Sequence, residues 1–100
     1  MSVPQFDAVI HAPIRLQICA LLSPVQHAEF QLVRDQLAVS DSVLSKHLSQ
    51  LVDADYVVQT RLPFNGRQRM MLSLTKKGRS AFAAHVETLQ ALASIAAEGG

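Results

Sequence analysis

The sequence predicts a mainly α protein with one small β-hairpin and a long C-terminal helix. Three observations carry this. Apolar residues recur at helical spacing, as in Leu44, Leu48, Leu51 and Val52, which fall at i, i+4, i+7 and i+8. The run Tyr56 to Leu62 is rich in β-branched and aromatic residues and leads into Asn65-Gly66, a pair that tolerates positive φ at both positions and marks a hairpin. From Thr75 onward an Ala-rich stretch carries another helical stripe up to Gly99-Gly100.

In chain order, Phe6 to Ile10 reads as a short apolar lead-in. Pro13 suits the first turn of a helix, where its missing N–H would have no partner anyway. Ile10, Ile14, Ile18, Leu21 and Leu22 then form the stripe of a core helix that ends before Pro24, with Arg15 on its polar side. After a loop from Ser23 to Ala28, Phe30, Val33 and Leu37 mark a shorter helix from about Glu29 to Leu37, with Glu29 at the positive end of its dipole.

Ala38-Val39-Ser40, a turn without the frequent Gly, leads into a third helix at about 41–54. Ser40 suits its N-cap and Asp41 its first turn. Opposite the leucine stripe lie Ser42, Val43, Ser45, Lys46, Ser49 and Gln50. Short hydrogen-bonding side chains let a helix backbone approach a groove closely, so this face reads as a DNA recognition surface. An ordinary amphipathic helix is the competing reading of the segment alone. Asp41 reads as a capping residue rather than a base reader, because a carboxylate repels phosphate.

The run Asp41-Ser42-Val43-Leu44-Ser45-Lys46-His47-Leu48, followed by Leu51, Ala54 and Tyr56-Val57, resembles the recognition-helix signature of winged helix-turn-helix transcriptional regulators of the MarR/ArsR-like kind, and the small stand-alone ones in particular. The similarity extends from about Ile10 to about Leu92, and the family's Leu-Thr-x-x-Gly is matched by Leu74 to Gly78. Asp55 stands where the family usually has Gly, which puts the sharpness of that turn in question.

The resemblance implies one winged helix-turn-helix domain over 1–100: a three-helix core plus a wing at about 57–74, within about 6–79, and a long C-terminal dimerisation helix at about 75–97. The recognition helix would enter the major groove and the wing would follow the DNA backbone and minor groove. The expected DNA-binding residues are Ser42, Val43, Ser45, Lys46, Ser49 and Gln50 on the helix, Arg67, Gln68 and Arg69 on the wing, and Lys76. In the resembling family a basic residue often follows the proline of the first helix and touches phosphate; Arg15 stands there, with a solvent-facing role as the other reading.

Composition bounds the rest. A hundred residues allow one domain, with a small enough core that association through an apolar face is expected. Apolar residues make up 49% of the chain, against disorder, yet no run approaches a membrane span and no signal sequence is evident, so a cytoplasmic protein is expected. The single cysteine, Cys19, sits in an apolar helix pattern and reads as a buried structural thiol. Net charge is only +1, but no acidic residue lies between Tyr56 and Val86, where Arg61, Arg67, Arg69, Lys76, Lys77 and Arg79 all fall. That segment is expected to form a local cationic surface.

The stripe Phe82, Val86, Leu89, Ala93 and Ala96 extends beyond what a three-helix core can cover, which predicts a homodimer built from Ser80 to Ala97, joined by Phe6, Val9 and Ile10. A dimer would favour a pseudo-palindromic operator in double-stranded DNA. Enzymatic chemistry finds no support: His11, His27, His47 and His85 show no ligand spacing with Cys, and no phosphate-binding Gly-rich loop occurs, so neither a catalytic site, a metal nor a cofactor is expected. His85 and Glu87 on the last helix weakly resemble metal-sensing members of the wider family, whose partner residues further along are absent here, and His47 is expected to pack or bond locally. Near-neutral charge leaves one competitor from another class, a winged-helix module that binds a protein partner.

Overall fold

The computed structural model describes residues 6–99. Five helices, α1 (Ala8–His11), α2 (Pro13–Leu22), α3 (Phe30–Leu37), α4 (Asp41–Asp53) and α5 (Lys76–Gly99), combine with three strands, β1 (Ala28–Glu29), β2 (Val57–Phe64) and β3 (Arg67–Leu74). The strands form an antiparallel sheet in the order β1-β3-β2. The fold is therefore mainly helical with a small β wing and a long C-terminal helix.

The core gathers Ile10 from α1, Ile18, Cys19 and Leu22 from α2, Val33 from α3, Leu44, Leu48 and Leu51 from α4, and Val57, Leu72 and Leu74 from the sheet. The three leucines of α4 are completely covered, while Val52, grouped with them by spacing, is exposed. Cys19 is buried, and burial with Asp7 nearby pushes its thiol up to about 11, so it stays protonated at neutral pH.

Two elements were not expected. Ile10 and Ile14 do not share one helix: Ala12 takes an extended conformation (ψ 133), as the residue before a proline must, and separates α1 from α2. The loop after Ser23 ends in β1, which pairs Ala28 with Leu72 and Glu29 with Met71. Glu29 is thus the extended residue before α3 rather than part of its first turn, and its side chain makes no cap bond.

Both sharp turns lack glycine and form nevertheless. After α3, Ala38 adopts the left-handed conformation (φ 55), and the N–H groups of Ala38 and Val39 donate to the carbonyls of Asp35 and Arg34. After α4, Asp55 does the same (φ 63), with Asp55 N–H donating to Val52 and Tyr56 N–H to Leu51. These paired bonds close a Schellman-type turn and offset the cost of a side chain at positive φ. The hairpin turn is the expected Asn65-Gly66: these two residues (φ 50 and φ 77) alone reverse the chain, and Phe64 pairs with Arg67. Pro63 lies within β2, which it can because β2 is an edge strand.

Thr75 caps α5 by accepting from Gly78 N–H at 2.8 Å, and its hydroxyl donates to the Asp55 carbonyl at 2.7 Å. Gly78 is buried against the backbone of Tyr56, where an added Cβ would sit 2.1 Å from the carbonyl oxygen. The first turn of α5 is therefore pressed against the chain just after α4. From there α5 runs for 24 residues and gives the molecule an extent of 55 Å against 26 and 21 Å in the other directions.

Candidate nucleic-acid interface

α4 presents one face to the core and the other to solvent. Ser40 starts it, its Oγ accepting from Val43 N–H at 3.2 Å, while Asp41 pairs with Arg34 of α3 at 2.7 Å. Asp41 thus helps to tie the two helices of the helix-turn-helix together. Ser42, Val43, Ser45, Lys46, Ser49 and Gln50 are all exposed. Ser49 folds its hydroxyl back onto the Ser45 carbonyl at 3.0 Å, and the Ser42 hydroxyl lies 3.2 Å from that of Ser40. The side chains of Ser45, Lys46 and Gln50 have no hydrogen-bond partner among the described residues, so their donors and acceptors face water.

The other end of this helix is anchored by a polar cluster that the sequence reading missed. Asp7 Oδ1 accepts from the N–H groups of Val9 (3.0 Å) and Ile10 (3.1 Å), which caps α1. Its Oδ2 accepts from the Tyr56 hydroxyl at 2.6 Å, and its own N–H donates to His85 Nδ1 of α5 at 3.3 Å. Burial raises the Asp7 carboxyl, but the Tyr56 hydroxyl, the two helix N–H groups and His85 together hold it below its usual value. The same bond to Asp7 is the main reason the Tyr56 phenol is pushed up to about 12.

His85 is only 2% exposed and faces His11, with Nε2 3.2 Å from His11 Nδ1; Phe6 lies tilted against both rings, its centre 4.3 Å from that of His11 and 5.7 Å from that of His85. Because the Asp7 amide must donate, His85 Nδ1 carries a lone pair and its proton sits on Nε2, directed at His11. A second proton on His85 would face the amide hydrogen. Burial and then the neighbouring His11 hold His85 below its ordinary pKa, with Asp7 acting the other way.

Arg15 belongs to the same inner network. Its Nε donates to the Val9 carbonyl and its Nη1 lies 3.2 Å from His47 Nδ1 on α4. It therefore ties α1, α2 and α4 together rather than pointing out from the polar side of its helix. His47 is half-buried against it and is held below its ordinary value by burial, then by Arg15 and Lys46.

The cationic segment from Arg61 to Arg79 does not form one surface. Arg79 donates to the carbonyls of Ser23 and Val25, both at 2.8 Å, and fastens the loop before β1. Lys77 sits over the Tyr56 ring, 5.6 Å from its centre. Lys76, expected beside the DNA-binding residues, is exposed at the start of α5, at the opposite end of β3 from the hairpin turn. On the wing, Arg67 and Gln68 are exposed next to the turn, but Arg69 does not project: its Nη1 pairs with Glu29 at 2.9 Å. Phe64 at the turn is 56% exposed, the most open large apolar side chain of the wing.

On α5, Phe82 packs on the core of its own chain, Val86 and Leu89 are half-buried, and Ala93 and Ala96 are exposed. Phe82 is thus half-buried, with part of its surface already taken up by its own chain. Leu92 and Ile95, which the stripe left out, are the large apolar side chains exposed along the projecting end, Ile95 at 56%. Among the described residues, no three His, Cys, Asp or Glu are placed to hold a metal ion, and no helix is long and apolar enough to cross a membrane.

A helix-turn-helix backed by a three-stranded wing defines the class: a winged helix. The model of the winged helix DNA-binding domain matches residues 14–93, and the chain belongs to that family. It is similar to the uncharacterized protein MJ0432 of Methanocaldococcus jannaschii, 30% identical over 83 residues that make up 82% of this chain and 90% of that one. Among solved structures, a transcriptional regulator homologue protein from Pyrococcus horikoshii OT3 superposes with a TM-score of 0.82 at 22% identity, covering 88% of this chain and 87% of that one. Diamide-treated YodB from Bacillus subtilis gives 0.75 at 22%, covering 87% and 84%. The expected winged helix is borne out in family, and the fold is the one these solved structures share.

Proposed function

We propose that the chain is a sequence-specific transcriptional regulator that binds double-stranded DNA in the cytoplasm as a homodimer, one domain per copy, and is not an enzyme. The observation that carries this is the contrast on α4: an apolar face sunk in the core and an opposite face whose Ser45, Lys46 and Gln50 side chains are exposed and without hydrogen-bond partners among the described residues. Short and flexible polar groups on a rigid helix are suited to hydrogen bonding with base edges in a major groove. Ser42, Val43 and Ser49 complete this reading face; Arg67 and Gln68, with Arg69 behind them, supply backbone contacts from the wing, and Lys76 adds charge at its base.

Dimerisation is supported by Leu92 and Ile95, which continue the surface of Val86, Leu89, Ala93 and Ala96 along a helix that leaves the rest of the fold. Two copies paired there would present two recognition helices to a pseudo-palindromic site.

Selection of bound genomic fragments by the purified protein tests the reading. A shared inverted repeat, bound with an affinity that falls steeply with salt, is the expected result, because phosphate contacts release counterions. Sequence-blind retention with little salt dependence would overturn it in favour of a protein-binding module. Ser45→Ala and Gln50→Ala should change the selected sequence, and Leu92→Glu with Ile95→Glu should yield a monomer in sedimentation.

A further inference from the structure

β1 stops after two residues, so beyond Met71 the side of β3 facing α3 has no strand partner. A cleft of about 300 Å³ lies there, lined by Glu29, Phe30 and Gln31 on one side and by Arg61, Arg67, Gln68, Arg69 and Met70 on the other. Its charges do not balance. Three guanidinium groups share it with one carboxylate, and among the described residues Glu29 pairs only with Arg69. Arg61 and Arg67 enter no ion pair among the described residues. Arg69 is held by Glu29 at 2.9 Å, with Gln31 Oε1 at 3.5 Å, and its Nε is shielded from solvent without any acceptor.

The Arg69 side chain is only half-buried, but its Nε is shielded, and a shielded N–H normally has an acceptor, an orphan one being costly enough to be uncommon in folded proteins. Excess positive charge, planar forks of donors and two flanking amides match a tetrahedral oxyanion better than any neutral ligand. Half-buried Phe30 and Met70 limit water around the charges and strengthen such a contact.

We propose that this cleft is a phosphoryl seat, with Arg61, Arg67 and Arg69 as its guanidinium ligands and Glu29 as the group that positions Arg69 while moderating the affinity. This assigns Arg61, Gln31 and Glu29, which lie outside the base-reading face. The phosphoryl group comes either from a DNA backbone, which rests on the function proposed above, or from a free phosphate-type anion, which does not.

The test uses the full chain. Arginine Nε–H resonances are followed by NMR during titration with inorganic phosphate and with pyrophosphate, against chloride at matched ionic strength, and duplex binding is measured across a salt series. For the parent, phosphate or a duplex should shift the Arg69 Nε–H signal where chloride does not. Arg61→Ala should weaken all duplexes alike, by about fivefold, and lower the salt slope by about one, as for one lost phosphate contact. Glu29→Gln keeps an acceptor for Arg69 and removes a negative charge, so it should tighten duplex binding about threefold without changing the preferred sequence.

A response to duplex alone assigns the seat to the DNA backbone; a response to phosphate that competes with duplex assigns it to a free anion as well. If phosphate shifts the signal while no duplex binds, the seat stands and the DNA reading falls. If duplex binds with an unchanged slope in Arg61→Ala, and neither ligand moves the Arg69 signal, the seat is refuted and the DNA reading stands.

Discussion

Around Asp7, a carboxylate, a phenol, two imidazoles and backbone amides satisfy one another within the chain, whereas on the outward face of α4 the side chains of Ser45, Lys46 and Gln50 are exposed and have no hydrogen-bond partner among the described residues. The two regions are joined by one helix. The first holds α1, α5 and the end of α4 in one arrangement, and the second leaves its donors and acceptors for another molecule. Stability and recognition are thus separated along a few turns of chain, and substitutions should separate them as well.

The largest expected effect lies at the joint behind the Asp7 cluster. Gly78→Val would drive a side chain into the Tyr56 carbonyl, where even a Cβ has only 2.1 Å, and should cost at least about 3 kcal/mol in chemical denaturation. Leu48→Ala empties part of a completely covered site and should cost about 2–5 kcal/mol, while Lys46→Ala, two residues away on the open face, should stay within about 0.5 kcal/mol. Equal losses from these two would erase the distinction between the faces.

Tyr56→Phe removes the hydroxyl donor and leaves a half-buried Asp7 oxygen without it, at an expected cost of about 1–2 kcal/mol in urea unfolding. The same cluster should respond to pH. His85 is held neutral below its ordinary pKa of 6.5, so between that value and its folded value the unfolded chain binds more protons. Its contribution is complete above about pH 6.5 and is lost as pH falls toward the folded value. His47 adds to the loss in the same direction. His85→Gln should flatten the decline of urea midpoint below pH 6.5. An unchanged slope would show that the histidine cluster does not hold the neutral form. The smallest stability change, within about 0.5 kcal/mol, is expected for Ser45→Ala, and the test of its role is the altered sequence preference already described.

The recognition helix and wing were legible because their signals are local. Leu44, Leu48 and Leu51 repeat at helical spacing, Ser40 caps, and Asn65-Gly66 bends a hairpin without help from distant residues. β1 was not, since two residues carry no periodicity and their pairing with Leu72 and Met71 is set more than forty positions away. Asp7 before Ala8 was a readable capping signal for α1, but nothing near it in sequence announces Tyr56 or His85. Arg15 and Arg69 show the same limit from the other side: for both, a partner distant in sequence sets the side chain's position, so Arg15, open between a phosphate contact and a solvent-facing role, turns inward to His47, and Arg69, expected on the DNA-binding wing, is held by Glu29.

At Gly78 only hydrogen separates the long helix from the backbone that leaves α4. In the proposed dimer this contact is a hinge without padding, and the residues beyond it, Arg79 to Gly99, form an arm of about 32 Å. A tilt of about 10° at the glycine would carry the far end about 6 Å, by the geometry of a helix rising about 1.5 Å per residue. Conversely, a partner helix gripping the far end fixes the tilt at the near end with high leverage. The distance between two recognition helices would then be gauged by the fit of one glycine against one carbonyl, far from any base that they read.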